Sequence, residues 1–540
     1  MICENRLIPD LNHQLVGEHG YLGGFIETLA NILDTGCAVA GDHVAVDSWE
    51  GRLTFKDVDQ YSNALAITLA ERFNIRRGDR VAILAEKSIA IVVVAVAVWK
   101  AGAIYMPIDV NNSPIRTRTI LEATQPGLII SSERTLKRYE AVHSDIPSLA
   151  YEEILRLEPM TLSRSTLPVV QASDIAAIIH TSGSTGVPKG VMLSHGSMAA
   201  YFINHNVYLR YDVAACGMNN GPFHFDVSIQ DTFLPLSFGS RVVFHQGSFI
   251  GPLLMKTIRE KRVTHLVVMS SVLDIISQEP ACIEDLRGGA LKLLVTGGEL
   301  CDPKLINRWK LALPELRILY GYGPTECNSL CTTHEIVEAD IGRTKPYPIG
   351  RPFNGVGALL LDDQWREIQT PNVSGVLALA GPQLMAGYWG RPDLTSQVTR
   401  VINDRTYYVT GDYCFRDDNG DYHFVGRTDT EVKIRGHRIN LNEVRYALLS
   451  EPNIRYAQVG AADVGASKHI YAFVYAGPDI QLFHQDILKS LSQKLPPYML
   501  PTYIKIAKDL EMTTTDKVNE RGIDTEMHRV IAETPDAYFI

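Results

Sequence analysis

His180-Thr181-Ser182-Gly183-Ser184-Thr185-Gly186-Val187-Pro188-Lys189-Gly190 directly follows an apolar run, Ala176–Ile179, that has strand character. Three glycines let this backbone turn tightly. Four hydroxyls and the free N–H groups of such a turn can wrap phosphate oxygens, and Lys189 adds a point charge. It is not a Walker-type P-loop. In G-x-x-x-x-G-K-[ST] the lysine precedes Ser or Thr, whereas Gly190 follows Lys189 here. From these residues alone it is a phosphate loop of unassigned class, or a solvent loop.

Around it, short apolar runs alternate with helical stretches: Val81–Leu84 before Ile89–Trp99, then His265–Met269 and Leu291–Val295. Such alternation predicts an α/β protein with largely parallel sheets and covering helices. Ligands in such folds gather at the carboxyl ends of the strands. The 11 residues of Ile89–Trp99 fall well short of the ~20 that span a bilayer and predict a buried helix. After about residue 360 the character changes. Tyr407–Val409 and Tyr422–Val425, on either side of Asp417-Asp418-Asn419-Gly420, predict a hairpin with an Asn-Gly turn. The charged stretch after Gly426 puts a boundary near Thr428–Thr430. The expected organisation is a large N-terminal domain, 1–428, of mixed and parallel sheets, and a small α+β C-terminal domain, 429–540.

Composition narrows the function. The 540 residues carry 51 basic and 61 acidic side chains, a net charge of −10, which disfavours a nucleic-acid binder. Eight cysteines, with no C-x-x-C pair, read as reduced thiols of a cytoplasmic protein and speak against a zinc site. The N-terminus, MICENRLIPDLNHQL, lacks the layout of a signal peptide.

The string T-S-G-S-T-G-x-P-K-G resembles the phosphate loop of the acyl-adenylate-forming superfamily: acyl-CoA synthetases, luciferases and peptide-synthetase adenylation domains. Further matches follow in order along the chain. They are Tyr322-Gly323-Pro324-Thr325-Glu326, Tyr408-Val409-Thr410-Gly411-Asp412, Gly426-Arg427-x-Asp429-x-x-Val432-Lys433-Ile434-Arg435-Gly436-x-Arg438-Ile439, and Thr513-Thr514-Thr515-Asp516-Lys517-Val518-Asn519. Weaker ones are Lys100–Asp109, Gly381–Thr395 and Leu495–Pro501. The resemblance implies ATP and Mg²⁺ as cofactors. Thr181, Ser182, Gly183, Ser184, Thr185, Gly186 and Lys189 would hold phosphates. Tyr322 would stack on adenine, Thr325 would contact the α-phosphate and Glu326 would hold Mg²⁺, an oxygen-preferring ion. Asp412 would accept from the ribose hydroxyls and Arg427 would bind ribose or phosphate. Asp429 would be a hinge between an adenylating and a transfer pose, and Lys517 would be catalytic, bridging carboxylate, α-phosphate and ribose. Lys189 and Glu326 complete the expected catalytic set. Asp516 and Glu520 depart from the usual glycine and arginine around the lysine, and Asn440 replaces a usual glutamate.

The resemblance also addresses which acid is used. Phe225-Asp226-Val227-Ser228 resembles the F-D-x-S of amino-acid-activating domains, where the aspartate pairs with the α-ammonium. A charge-assisted pair of that kind rejects acids lacking the ammonium. Read from the residues alone, Asp226 is a helix cap. The implied pocket is Asp226, Val227, Gln230, Val267, Val295, Gly297, Gly321, Ser329, Leu330 and Lys517. No second carboxylate falls among these positions, so a neutral amino acid is expected. Asp-Val-Gln points to proline, while glycines at 297 and 321 are expected to leave room for something larger. The chain ends soon after Lys517, so the expected acceptor is the phosphopantetheine thiol of a separate carrier protein, with the enzyme a monomer. Two alternatives are an acyl- or aryl-CoA ligase of the same superfamily and a catalytically silent binding protein on the same fold.

Overall fold

The structure, a computed structural model, describes residues 26–143, 145–162, 166–181, 188–245, 251–277, 280–298, 301–427, 431–451, 453–465, 467–476, 480, 482–507 and 520–534. Two large sheets, of seven and nine strands, form the bulk of the N-terminal part. The helix Ala90–Lys100 is buried along its whole length. Its valines would favour a strand, but burial on all sides outweighs that local preference. At its end Trp99 packs edge-on against Tyr105 of the seven-stranded sheet (5.8 Å between centroids) and against Phe233 (4.9 Å) of the turn that carries part of the site. The adjacent buried Lys100 is held by Asp59 at 2.7 Å and by Ser62 and Asn63.

In the nine-stranded sheet His265–Met269, Leu293–Gly297 and Arg317–Tyr322 run parallel, with Met269, Gly297 and Gly321 in register. Their carboxyl ends therefore form one rim. The seven-stranded sheet departs from an all-parallel pattern. Ile175–Thr181 and Lys189–Ser194 pair antiparallel, with Thr181 opposite Lys189. The connection 182–188 is far shorter than the dozen or more residues a parallel crossover needs. Ile175–Thr181 and Lys189–Ser194 are therefore the two arms of a hairpin.

A five-stranded antiparallel unit follows, in which Arg405–Arg416 pairs with Tyr422–Arg427. The expected Asn-Gly hairpin is there. Asp417 Oδ1 accepts from the amides of Asn419 (3.0 Å) and Asp421 (2.9 Å), and Gly420 takes φ +89°. Beyond it lies a smaller part made of the hairpin Glu431–Ile434/His437–Asn440, the helix Leu441–Leu449 and a three-stranded sheet flanked by His484–Lys494 and Glu520–Glu533. Its apolar clusters, drawn from residues 432–531, are separate from those of the N-terminal part. The described cysteines are free thiols, and no described helix is long and apolar enough to cross a membrane.

Candidate active site

Tyr322 ends its strand at the rim, and a tight turn follows. A Cβ on Gly323 would lie 1.7 Å from the Ser329 carbonyl oxygen, so only glycine fits. Asn328 and Ser329 take left-handed φ of 57° and 77°. Two side chains that sequence reasoning missed hold this turn. The Gln383 amide, buried, donates to the carbonyls of Cys327 (2.6 Å) and Leu330 (2.8 Å), and Asn328 donates to the Gln383 carbonyl at 2.8 Å. Gln383 falls inside the matched Gly381–Thr395 stretch, but only the fold shows what it holds.

Glu326, fully buried on this turn, accepts from the Tyr388 hydroxyl at 2.7 Å. Arg438 Nη1 donates to both its oxygens, at 3.0 and 2.9 Å. Burial alone would raise its pKa, but the charges of Arg438 and Lys189 overcome this and hold it at about 2. Buried, ionised and oxygen-donating, it has the chemistry of a hard-cation ligand.

The Tyr322 hydroxyl donates to Asp412, whose other oxygen accepts from Arg427 Nη1 at 2.5 Å. Asp412 and Arg427 face each other across the hairpin. Arg427 also reaches Glu431 at 3.0 Å, and Glu431 in turn accepts from Arg438 and lies 3.9 Å from Lys189 Nζ. Lys189 Nζ sits 5.1 Å from the Tyr388 ring centroid, and Lys433 Nζ sits 5.4 Å from that of Tyr322. The Thr181 hydroxyl, next to the glycine-rich stretch, is buried with no hydrogen-bond partner among the described residues. Ser182, Gly183, Ser184, Thr185, Gly186, Asp429 and Lys517 lie outside the described residues.

Asp226 opens a short helical segment that widens into a π turn over Ile229–Phe233, a feature often found at functional sites. Burial pushes the Asp226 carboxyl up, against a hydrogen bond from Thr325 and the charge of Lys433. Gln230 is buried, and its amide nitrogen has no partner among the described residues. Val267 and Val295 are paired in register, Val227 packs against the main core, and Ser329 and Leu330 follow the Glu326 turn.

One expectation is corrected. A Cβ on Gly297 would lie 1.9 Å from the Gly321 carbonyl oxygen, and one on Gly321 would meet both Leu330 methyls at 3.0 Å. These glycines admit close backbone approach, and Leu330 fills the space above Gly321. A buried carboxylate is next in sequence to a pocket position without being one of them. Asp231, one residue past Gln230, is raised to about 6 by burial, and its Oδ1 accepts from Asn219 (2.9 Å) and Thr232 (2.8 Å). An alignment of pocket positions passes over it.

The smaller part docks on this rim. Arg116 pairs with Glu443 in a buried contact, and His437 stacks on Tyr498 (3.6 Å) while meeting Phe225 edge-on (4.8 Å). Asn440 caps the helix Leu441–Leu449 by accepting from the Asn442 amide at 2.9 Å. An asparagine does that job well, a local reason for its presence there.

The chain is 30% identical over 512 residues to tyrocidine synthase 3 of Brevibacillus parabrevis, covering 92% of this chain and 8% of that one. It is 29% identical over 506 residues to bacitracin synthase 3 of Bacillus licheniformis, with 92% of this chain and 8% of that one covered. The chain thus spans under a tenth of those two relatives' length. It is also 30% identical to dapdiamide synthesis protein DdaD of Enterobacter agglomerans, over 92% of this chain and 82% of that one. In fold it matches holo-PA1221, an NRPS protein containing adenylation and PCP domains (TM-score 0.81, 22% identity, 94% and 86% covered). It likewise matches the Vibrio cholerae adenylation domain AlmE in complex with glycyl-adenosine-5'-phosphate (TM-score 0.79, 21% identity, 93% and 98% covered). A family model for AMP-binding enzymes matches residues 33–389, and the chain belongs to that family.

Proposed function

We propose that the chain uses ATP and Mg²⁺ to activate a neutral α-amino acid as its aminoacyl-AMP, and passes the aminoacyl group to the phosphopantetheine thiol of a carrier protein. The observation that carries this is that Asp226 lies near Thr325 and close enough to Glu326 for the two charges to act on each other. One short turn thereby joins a carboxylate suited to an α-ammonium to one suited to a divalent cation. Magnesium at Glu326 would neutralise phosphate charge and polarise the α-phosphorus for attack. Asp412 and Arg427 would hold the ribose, Tyr322 would face the adenine, and Thr181 to Gly186 with Lys189 would hold the phosphates. The amino-acid carboxylate would attack the α-phosphorus and pyrophosphate would leave. Lys517 would place a cation between these two anions, and Asp429 would be the hinge between domains 1–428 and 429–540.

The crowding at Gly297 and Gly321 supports a compact side chain, and proline is the first candidate. AlmE, crystallised with a glycyl-adenylate, and PA1221, with its carrier domain, support the substrate class and the kind of acceptor. The test is amino-acid-dependent exchange of pyrophosphate into ATP across a panel of twenty amino acids. Exchange with one or a few neutral amino acids is expected, whereas activity only with aryl or fatty acids overturns the reading.

A further inference from the structure

The hairpin Glu431–Ile434/His437–Asn440 brings two cations into a site that, on the reading above, must hold others. Arg438 lies against both oxygens of Glu326, in the position of a bound cation. Glu431, behind it, accepts from Arg438 and Arg427 and lies near Lys189. The result is a buried row of alternating charge, Glu326–Arg438–Glu431–Arg427–Asp412, that crosses from the large part to the small one and back. A planar guanidinium spanning two carboxylates is well suited to such a row. On the same hairpin, Lys433 sits over the Tyr322 ring, close enough for its charge to act on Asp226.

We infer that Arg438 is a positioning residue that acts through Glu326 as a stand-in for magnesium, and that Glu431 holds it there. The guanidinium holds the metal-ligand carboxylate in place while no metal is bound. Because it covers both oxygens, metal loading and hairpin docking exclude each other. A ligand shifts such an equilibrium only through its differential affinity for the two states. Here the difference is direct: magnesium binds Glu326 only once Arg438 has left it. The device therefore couples the metal-dependent step to withdrawal of the hairpin, and the hairpin's return to departure of the metal with pyrophosphate.

This rests on the nucleotide reading of the site, so the experiment measures binding without turnover on the whole chain. A fluorescent ATP analogue is titrated at fixed concentration with increasing magnesium. Arg438→Gln is expected to lower the half-saturating magnesium about tenfold, the size a lost competitor of ~1.4 kcal/mol gives, and Arg438→Lys to restore part of the requirement. Glu431→Gln, which loosens Arg438 without removing it, is expected to move the same way by a smaller factor and serves if Arg438→Gln does not fold. An unchanged or raised requirement in the variants overturns the inference. In parallel, hydrogen exchange of amides 431–440 in the unmodified chain is expected to quicken with the analogue plus magnesium, and not with the analogue plus chelator. Equal protection in both overturns it as well. Failure of the unmodified chain to bind the analogue at all would instead sink the nucleotide reading.

Discussion

Gly297 and Gly321 stand opposite one another on neighbouring parallel strands, so close that a methyl group on Gly297 would fall 1.9 Å from the Gly321 carbonyl oxygen. Gly297 also has a φ of +151°, which side-chain-bearing residues rarely adopt. Gly297→Ala is thus both strained and blocked by backbone that cannot move without breaking the sheet. It should cost about 3 kcal/mol or more in chemical denaturation. A loss under 1 kcal/mol would mean that the strands separate more easily than their register implies.

Leu330 covers Gly321 and, on the proposed function, would limit the substrate pocket. Leu330→Ala should cost about 2–3 kcal/mol as a partly collapsible cavity and shift preference in pyrophosphate exchange towards a larger amino acid. If the preference profile is unmoved while stability falls, Leu330 packs the rim without bounding the substrate.

Arg116 and Glu443 lie far apart in sequence and pair while buried. Removing one partner strands a buried charge, a loss of about 3–5 kcal/mol, whereas removing both costs less. Arg116→Met and Glu443→Gln should therefore be strongly non-additive. A double-mutant cycle is expected to give a coupling of at least about 1 kcal/mol. Additive effects would show that the two parts are held together elsewhere.

The depressed pKa of Glu326 gives a pH signature. Its folded value of about 2 lies below the unfolded carboxylate's ~4.3, so the charged form favours folding. That contribution, about 3 kcal/mol, is fully present above pH ~5 and is lost as pH falls from there through 2. Urea denaturation at pH 6 and pH 3 should show the unmodified chain losing more stability than Glu326→Gln does. Equal losses would mean Glu326 is already neutral.

Much of this site could be read in the sequence because it is built from short motifs whose glycines and hydroxyls have local reasons. Tyr322, Thr325, Glu326, Asp412 and Arg427 come together around one rim of strand ends, and the Asn-Gly hairpin lies where Asp417–Gly420 placed it. What was illegible depends on contacts between distant segments. Gln383 holds a turn more than 50 residues earlier in the chain, and Arg438 reaches Glu326 across 112 positions. Both fall inside matched stretches, but no local pattern shows what either one holds. The spacing of the glycine-rich stretch did not announce an antiparallel hairpin, because an apolar run looks the same whichever way its partner runs. The glycines at 297 and 321 misled for a related reason: absence of a side chain reads as space until the neighbouring backbone is known to fill it.

Asp226 separates function from fold most sharply. Burial raises its pKa, so the folded state prefers the neutral acid, and ionisation at neutral pH works against stability. Stability from this group is present below the unfolded carboxylate's pKa and is lost as pH rises through the raised folded value. Asp226→Asn keeps the shape and removes the charge, so at pH 7.5 the variant should melt no lower than the unmodified chain, and its stability should fall less between pH 4 and pH 7.5. It should nevertheless lose amino-acid-dependent exchange by about 10³-fold or more, because the α-ammonium would then be buried without a counter-charge. A helix-capping role would give a different pattern, with lower stability and activity reduced only in proportion. The same sample, melted and then assayed, therefore decides whether this carboxylate is kept for the fold or for the substrate.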